Sequence, residues 1–398
     1  MRILQLSNKP PYPPNDGSSI AMFNMSAGFI ANKVDLTLLT INTKKHFKPD
    51  PKPDDLFGKQ SNYQSVYRDT DVTMSGALLN LFSKESYMVS RFYFREFEEK
   101  LIALLKEKDF DVVHLESIFM GNYIPVIRKY SRAKISIRTH NIEHLIWQRM
   151  IDNESSFIKR SYLKLQNKRL KDFEYKTLQA VDAIVPITSV DEDYFRKWGI
   201  NKAYCSTPTG LIFDRYVINN ANEIPQSVFH FGSMDWLPNE EAVLWFVNNV
   251  WEKVLAKVPQ AKFYIVGRGM RAKISSLVKP NVVVIGKTEN PESVYHTYSV
   301  MIVPLLSGSG MRIKMIEGMA YGKAIVSTSI GAEGISVNND KDCLIADTPE
   351  EFANAVVKVL SDPAKKGSLS KEARLFTEKY YDNTTLVKQL VEFYQKLI

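Results

Sequence analysis

The feature that most limits what this chain can fold into is a repeated alternation of short apolar runs with helical patterns. Residues 2–6 form the first run and Val34-Asp35-Leu36-Thr37-Leu38-Leu39-Thr40-Ile41 the second, with a Pro/Gly-rich loop and a helical pattern around Ile20 to Ile30 between them. Strand, loop, helix, strand is the unit of a parallel sheet. The unit recurs: a helical stretch Phe97 to Lys106 precedes Asp111 to Leu115, another from Tyr123 to Tyr130 precedes Lys134 to Arg138, and a longer one precedes Ala183 to Ile187. Ser206 to Ser227, with Pro208, Gly210, Asn219, Asn220, Asn222 and Pro225, breaks the rhythm and reads as a linker. A second alternation then begins at Val228 to Phe231 and continues through a helix near Glu240 to Lys257 and strands at Lys262 to Val266, Val282 to Ile285 and Val300 to Val303. It ends with a helix Lys314 to Tyr321 and a strand Ala324 to Ser327. The pattern predicts an α/β protein of two Rossmann-like, doubly wound domains facing a central cleft, where the carboxyl ends of the strands would hold ligands. The expected division is 1–205, a linker 206–226, 227–380, and a C-terminal helix 381–398.

Length agrees, since 398 residues suit two domains of roughly 200 each. A composition of 44% hydrophobic and 24% charged residues excludes a disordered chain. No apolar run approaches the roughly 18 residues of a spanning helix, and Met1-Arg2 leads into Ile3 to Leu6 without a signal-peptide cleavage site. Two cysteines, Cys205 and Cys343, allow neither a disulfide framework nor a cysteine metal cluster, so a cytoplasmic location is expected. A net charge of +8 favours anionic partners: phosphorylated small molecules, an acidic membrane face or nucleic acid. No named nucleic-acid motif appears, so nucleic acid is not expected. Residues 159–176 interleave cations with apolar residues; such a stretch suits peripheral contact with the inner, anionic face of a membrane as well as a solvated helix face.

The densest chemistry lies between Pro304 and Gly322. Ser307, Gly308, Ser309 and Gly310 follow an apolar strand and precede a helix, so their N–H groups, with that of Met311, can approach an anion at a helix N-terminus. Arg312 and Lys314 can clamp a diphosphate, and Glu317 can accept the hydroxyls of a ribose. Gly286 and Lys287, after the strand at 282–285, complete the donor-side set. Gly17 ends a proline-held loop, Lys9 to Ser19, at a strand's carboxyl end. Arg138, His140, Asn141, Glu143 and His144 cluster after another strand, where hydrogen-bonding side chains can read a sugar. His140 and His144 could instead chelate a metal if the stretch is helical, although the pattern H-E-x-x-H is absent. Asp109-Phe110-Asp111 and Asp191-Glu192-Asp193 read as structural acids, so no metal is expected.

These residues resemble those of the retaining glycosyltransferases of family 4, which have the GT-B fold. The supporting strings are Pro13-Pro14-Asn15-Asp16-Gly17, Asp111-Val112-Val113-His114, His140-Asn141-Ile142-Glu143, Phe231-Gly232-Ser233-Met234 with Pro238-Asn239, Val266-Gly267-Arg268-Gly269, and Gly310 through Gly322. The resemblance implies metal-independent hexosyl transfer from a UDP- or GDP-sugar, with no cofactor beyond that substrate, to a lipid-linked or saccharide acceptor in surface polysaccharide or glycoconjugate synthesis. It implies that Glu317 binds the ribose, that His140 orients the donor sugar, that Gly17 lies near the phosphates and that the last helix returns to the first domain. Attack would come from the front face, and domain closure would exclude water. Ser309 stands where the family's first motif glutamate would be, Ser233 and Asn239 where its phosphate-binding cations would be, and Ser18 where its first loop has a second glycine. Arg312 and Lys314 are expected to replace those cations. A non-hydrolysing UDP-sugar 2-epimerase and a non-catalytic sugar-nucleotide-binding protein are the alternatives; a dehydrogenase is not, because no G-x-G-x-x-G follows the first strand.

Overall fold

The computed structural model describes residues 1–14, 17–152, 154–308 and 311–398. The chain forms two compact units, one of Met1–Gly210 with Asn383–Ile398 and one of Leu211–Asp382. In the first, strands β1 (Arg2–Ser7), β2 (Asp35–Thr43), β3 (Gln64–Arg68), β4 (Val112–Leu115), β5 (Lys134–Thr139), β6 (Ala183–Pro186) and β7 (Ala203–Tyr204) pair in the order β3-β2-β1-β4-β5-β6-β7. Every pairing is parallel. Helices cover both faces of such a sheet, which is why its central strands are continuous buried runs rather than alternating ones. Helix Arg95–Glu107 shows how the covering is encoded. Phe97, Leu101, Leu104 and Leu105 lie at i, i+4, i+7 and i+8 and are all buried, with Glu96 and Glu98 in the first turn and Lys106 in the last.

The last helix, Asn383–Leu397, packs on helix Gly17–Ala31 of the first unit. The approach is close because Gly28 has no side chain: a Cβ there would lie 2.3 Å from Val387 Cγ2. Asn383 donates to the Asn24 carbonyl (2.7 Å), and Asn24 donates to that of Gly210 (2.7 Å). The fully buried Tyr394 hydroxyl lies 2.7 Å from His114 Nδ1 and 2.6 Å from Ser136 Oγ, under β4 and β5.

The second unit repeats the plan. Its strands are β8 (Ile224–Phe231), β9 (Lys262–Val266), β10 (Val282–Gly286), β11 (Tyr298–Val303), β12 (Ala324–Ser327) and β13 (Leu344–Ile345). They pair in parallel in the order β10-β9-β8-β11-β12-β13. In both sheets the order reverses beside the first strand, between β1 and β4 and between β8 and β11, and these are the positions where doubly wound sheets bind ligands at their carboxyl ends. The helix expected near Glu240 to Lys257 is three pieces, Leu237–Trp245, a π turn Phe246–Val250 and Trp251–Lys257. Phe246, Val247, Val250 and Trp251 are all buried across that turn.

The expected linker 206–226 is corrected. The chain passes from one unit to the other after Gly210, and residues 211–226 are built into the second unit. Phe213 and Tyr216 pack on its core. The Glu223 carboxylate takes Lys323 Nζ at 2.8 Å and a short contact from Lys366 Nζ. Asn- and Pro-rich composition reports turns, and turns can lie against a core as well as hang free. The first unit accordingly runs to Gly210 rather than 205, the second to Asp382, and the returning segment starts at Asn383.

Candidate functional site

At the reversal point of the first sheet the side chain that organises its surroundings is Glu116, the residue after β4. It is fully buried and accepts from Gln5 Nε2 at 2.7 Å, with His114 Nε2 at 3.3 Å, His140 Nε2 at 3.0 Å and Arg138 Nη1 at 3.7 Å. Burial opposes its ionisation, but the charge of Arg138 and hydrogen bonds from His114 and His140 outweigh that and hold the carboxyl below its usual range. His140 is only partly covered, at 13% side-chain exposure, and burial lowers its pKa despite the hydrogen bond to Glu116. It is therefore a neutral imidazole pinned through one nitrogen, with its ring held at the end of β5.

The rest of the 138–144 cluster separates. Arg138 lies within β5, 1% exposed, and donates to the Ala21 carbonyl at 3.0 Å, so it supports the sheet. His144 is buried between Glu174 (Nδ1 to Oε2, 2.6 Å) and the Tyr194 hydroxyl (2.9 Å). The two histidines are thus held by different carboxylates, and the chelating pair is corrected: His140 precedes the helix Glu143–Asp152 instead of lying on it. Glu174 also caps that helix, accepting from the backbone N–H of Glu143 (3.0 Å) and His144 (3.2 Å). Asn141 and Glu143 remain half-buried beside His140. Burial, then the charge of Glu174, pushes the Glu143 carboxyl up to about 7, against the hydrogen bond from Asn141. Gly17 opens the first helix after β1. The loop before it is anchored by Lys48, whose ammonium donates to the carbonyls of Pro10 (3.3 Å) and Pro13.

In the second unit the segment after β11 lies against the loop after β8. Gly308 has φ +113°, and a Cβ there would lie 2.9 Å from the Trp236 ring; any other residue would be strained and would push on the indole. Ser307 Oγ donates to Glu241 at 3.0 Å. Ser309 and Gly310, like Asn15 and Asp16, lie outside the described residues. Helix Ile313–Ala320 starts from Arg312 with no side-chain cap among the described residues, so Met311 and Arg312 lie at the positive end of the helix. Arg312 is 7% exposed. Its guanidinium stands 5.5 Å from the Trp236 ring centroid, 3.5 Å from the Ile330 carbonyl and 3.9 Å from Glu333. Glu317 is buried, with hydroxyls of Tyr295 at 3.3 Å and Tyr216 at 3.5 Å. Lys314 does not point free: its ammonium pairs with Glu317 at 2.7 Å and lies 4.8 Å from the Phe231 ring centroid. Gly286, at φ +80° with open space around it, and exposed Lys287 end β10, two strands from the reversal point.

Sequence reasoning missed Glu116, Trp236 and Arg268. Glu116 was visible as an acid directly after a mostly apolar strand pattern, Val112-Val113-His114-Leu115. Trp236 was visible as a large aromatic in a β-to-α loop. Arg268 Nε stands 3.4 Å from Ser233 Oγ and 4.0 Å from Asp235, which brings a cation from the loop after β9 to the position where Ser233 had suggested a missing one. Only the sheet order makes those two loops neighbours.

Residues 225–362, which lie in the second unit, match the family model of the glycosyl transferases group 1. A Klebsiella pneumoniae protein described as an uncharacterized 44.6 kDa protein in the cps region is 22% identical over 285 residues, 69% of this chain and 72% of that one. Among solved structures, sucrose-phosphate synthase from Thermosynechococcus elongatus superposes with a TM-score of 0.72 at 16% identity, covering 100% of this chain and 99% of that one. Anabaena HepE in complex with UDP gives 0.64 at 12% identity and 100% of both chains. S. aureus TarM, in a complex with Fondaparinux, alpha-GlcNAc-glycerol and UDP, gives 0.65 at 10% identity, covering 99% of this chain and 100% of that one. The fold is therefore that of GT-B proteins, two parallel-sheet Rossmann-like domains.

Proposed function

We propose that this chain transfers a hexosyl group from a nucleoside-diphosphate sugar, UDP- or GDP-linked, to an acceptor hydroxyl with retention of anomeric configuration and without a metal. The observation that carries the reading is the N-terminus of helix Ile313–Ala320 at the reversal point of the second sheet, with Arg312 at its start and Glu317 one turn in. A diphosphate suits the first two and a ribose diol the third. The glycosyl transferases group 1 match over the same residues supports it, as do the UDP and UDP-glucose complexes of HepE. A relative in a cps region supports a lipid-linked or saccharide acceptor in surface polysaccharide or glycoconjugate synthesis.

As the bond to the sugar breaks, negative charge grows on the leaving β-phosphate. The N–H of Met311 and the Arg312 guanidinium would stabilise it, and Lys314 would exchange Glu317 for the diphosphate, a short swing because both partners lie on one face of the helix. That exchange would also release a Glu317 oxygen for the ribose. Gly286 and Lys287 would border the base end of the nucleotide. In the first unit, His140, neutral and fixed by Glu116, would offer an uncharged imidazole able to hydrogen-bond a sugar hydroxyl, with Asn141 and Glu143 beside it.

The test is calorimetric titration of UDP and GDP into the wild type, Arg312→Ala and Lys314→Ala. One charge-assisted hydrogen bond is worth roughly 1.5–3 kcal/mol, so each variant should bind at least about tenfold more weakly. Unchanged affinity in both would remove the diphosphate assignment. Inverted anomeric configuration in the product, read by NMR, would remove retention.

A further inference from the structure

The first unit carries a surface on which large apolar side chains stand in solvent. Met74, Leu79 and Phe82 are 81%, 73% and 93% exposed, and Phe157 and Ile158 are 81% and 82% exposed. Single exposed apolar residues are ordinary, but this density is not. The two segments are joined. Gln166 donates to Asn80 Oδ1 at 2.9 Å, and Arg169 donates to the carbonyls of Asn80 (3.0 Å) and Leu81 (3.2 Å). The short helix Met74–Asn80 and the turn after it are thereby seated on helix Phe157–Ala180. Ile158, Tyr162, Leu165 and Arg169 follow one another at helical spacing, so Ile158 and Leu165 extend the apolar surface along the flank where Leu81 docks.

The neighbouring flank of the same helix holds Lys164, Lys168 and Lys171, all exposed. From Ser155 to Lys171 there are six cations and no acid, and from Val72 to Lys84 one cation and no acid. The acids of the helix begin at Asp172, and Glu174 is turned inward to cap the helix Glu143–Asp152. Lys159 pairs with Glu154 at 2.5 Å, but Lys164, Lys168 and Lys171 stand exposed beside the apolar residues. Apolar residues flanked by exposed cations match one partner: a bilayer surface, with acyl chains for Phe82 and Ile158 and anionic headgroups for the lysines. A protein partner would need acids opposite the lysines, and a second copy of this chain presents the same sign and would repel.

We infer that the surface formed by residues 72–84 and 157–171 docks the protein on an anionic membrane. The docking segment thus starts earlier than the basic run 159–176 suggests, at Phe157, and includes a short helix and turn with almost no charge. It is independent of the transfer chemistry, because none of these residues belongs to the candidate donor site.

The test is co-sedimentation of the full chain with vesicles of phosphatidylcholine alone and of phosphatidylcholine mixed with phosphatidylglycerol. The wild type should sediment with the mixed vesicles only, and less so as salt is raised. Phe82→Ser and Ile158→Ser should each weaken binding about tenfold or more, and Lys164→Gln and Lys168→Gln about fivefold each, or roughly 1 kcal/mol. UDP binding and circular dichroism should stay unchanged in all four, since the side chains replaced are exposed. Failure of the wild type to bind mixed vesicles, or equal binding by Phe82→Ser and Ile158→Ser, would overturn the inference. So would a concentration-dependent dimer in sedimentation velocity that Phe82→Ser dissolves, with no vesicle binding; the surface would then be a self-interface.

Discussion

Glu116→Gln tests whether the buried charge after β4 is a keystone of the first unit. Glu116 is fully buried and Arg138 is 1% exposed, with their nearest charged atoms 3.7 Å apart. The glutamine keeps the volume but leaves the Arg138 guanidinium without an anion in the interior. Breaking a buried pair from one side costs about 3–5 kcal/mol, whereas replacing both members by apolar groups is often nearly neutral. Glu116→Gln alone should therefore lose about 3–5 kcal/mol, and the double variant with Arg138→Met should lose clearly less than the sum of the two single losses. The pH dependence follows from the sign of the shift. The folded carboxyl is held below its ordinary value of 4.5, so its stabilisation is complete above that value and drains away as pH falls through the lower, folded one. The wild type should lose stability on acidification in that range, and Glu116→Gln should lack that component. Guanidinium unfolding followed by circular dichroism, at neutral pH and below pH 4.5, reads both quantities. A loss under about 1 kcal/mol, or a strictly additive double variant, would refute the reasoning.

Two glycines give further tests. Gly267 has φ +146°, and a Cβ there would lie 1.7 Å from the Gly232 carbonyl oxygen, which is backbone and cannot step aside; Gly267→Ala should destabilise the second unit by about 3 kcal/mol or more and lower its melting temperature, together with weaker UDP binding. Gly28→Ala should cost about 1–3 kcal/mol by forcing the last helix off the first, and Val387→Ala in the same chain should restore most of it, as measured by thermal unfolding.

The alternation of apolar strands and helices was legible in the residues because each central strand, buried on both faces, must be mostly apolar, as β4 and β11 are apart from His114 and Ser299. The segment Ser307 to Glu317 was legible for a related reason: glycines, cations and an acid at one strand-to-helix junction form a local pattern, and local patterns survive folding. Helix boundaries were read less sharply, as with the π turn at Phe246–Val250, because a long apolar run does not show where an extra residue enters the turn.

What only the tertiary structure decided was pairing between residues distant along the chain. Lys314 and Arg312 look alike in the sequence, yet one pairs with Glu317 and the other sits near Glu333, Ile330 and Trp236. Arg138 and His140 stand two residues apart at a strand's end, yet Glu116 takes both, one as an interior ion and one as a positioned imidazole. The basic run 159–176 was visible, but the apolar helix and turn beside it come from residues 72–84 and meet it through Asn80 and Leu81 on one side and Gln166 and Arg169 on the other. The sequence alone determined the type of sheet, the two-domain plan and the candidate phosphate loop, all of which depend on residue type and spacing. Burial and ion pairing depend on which distant strand lies alongside, and that information exists only once the sheet order is formed.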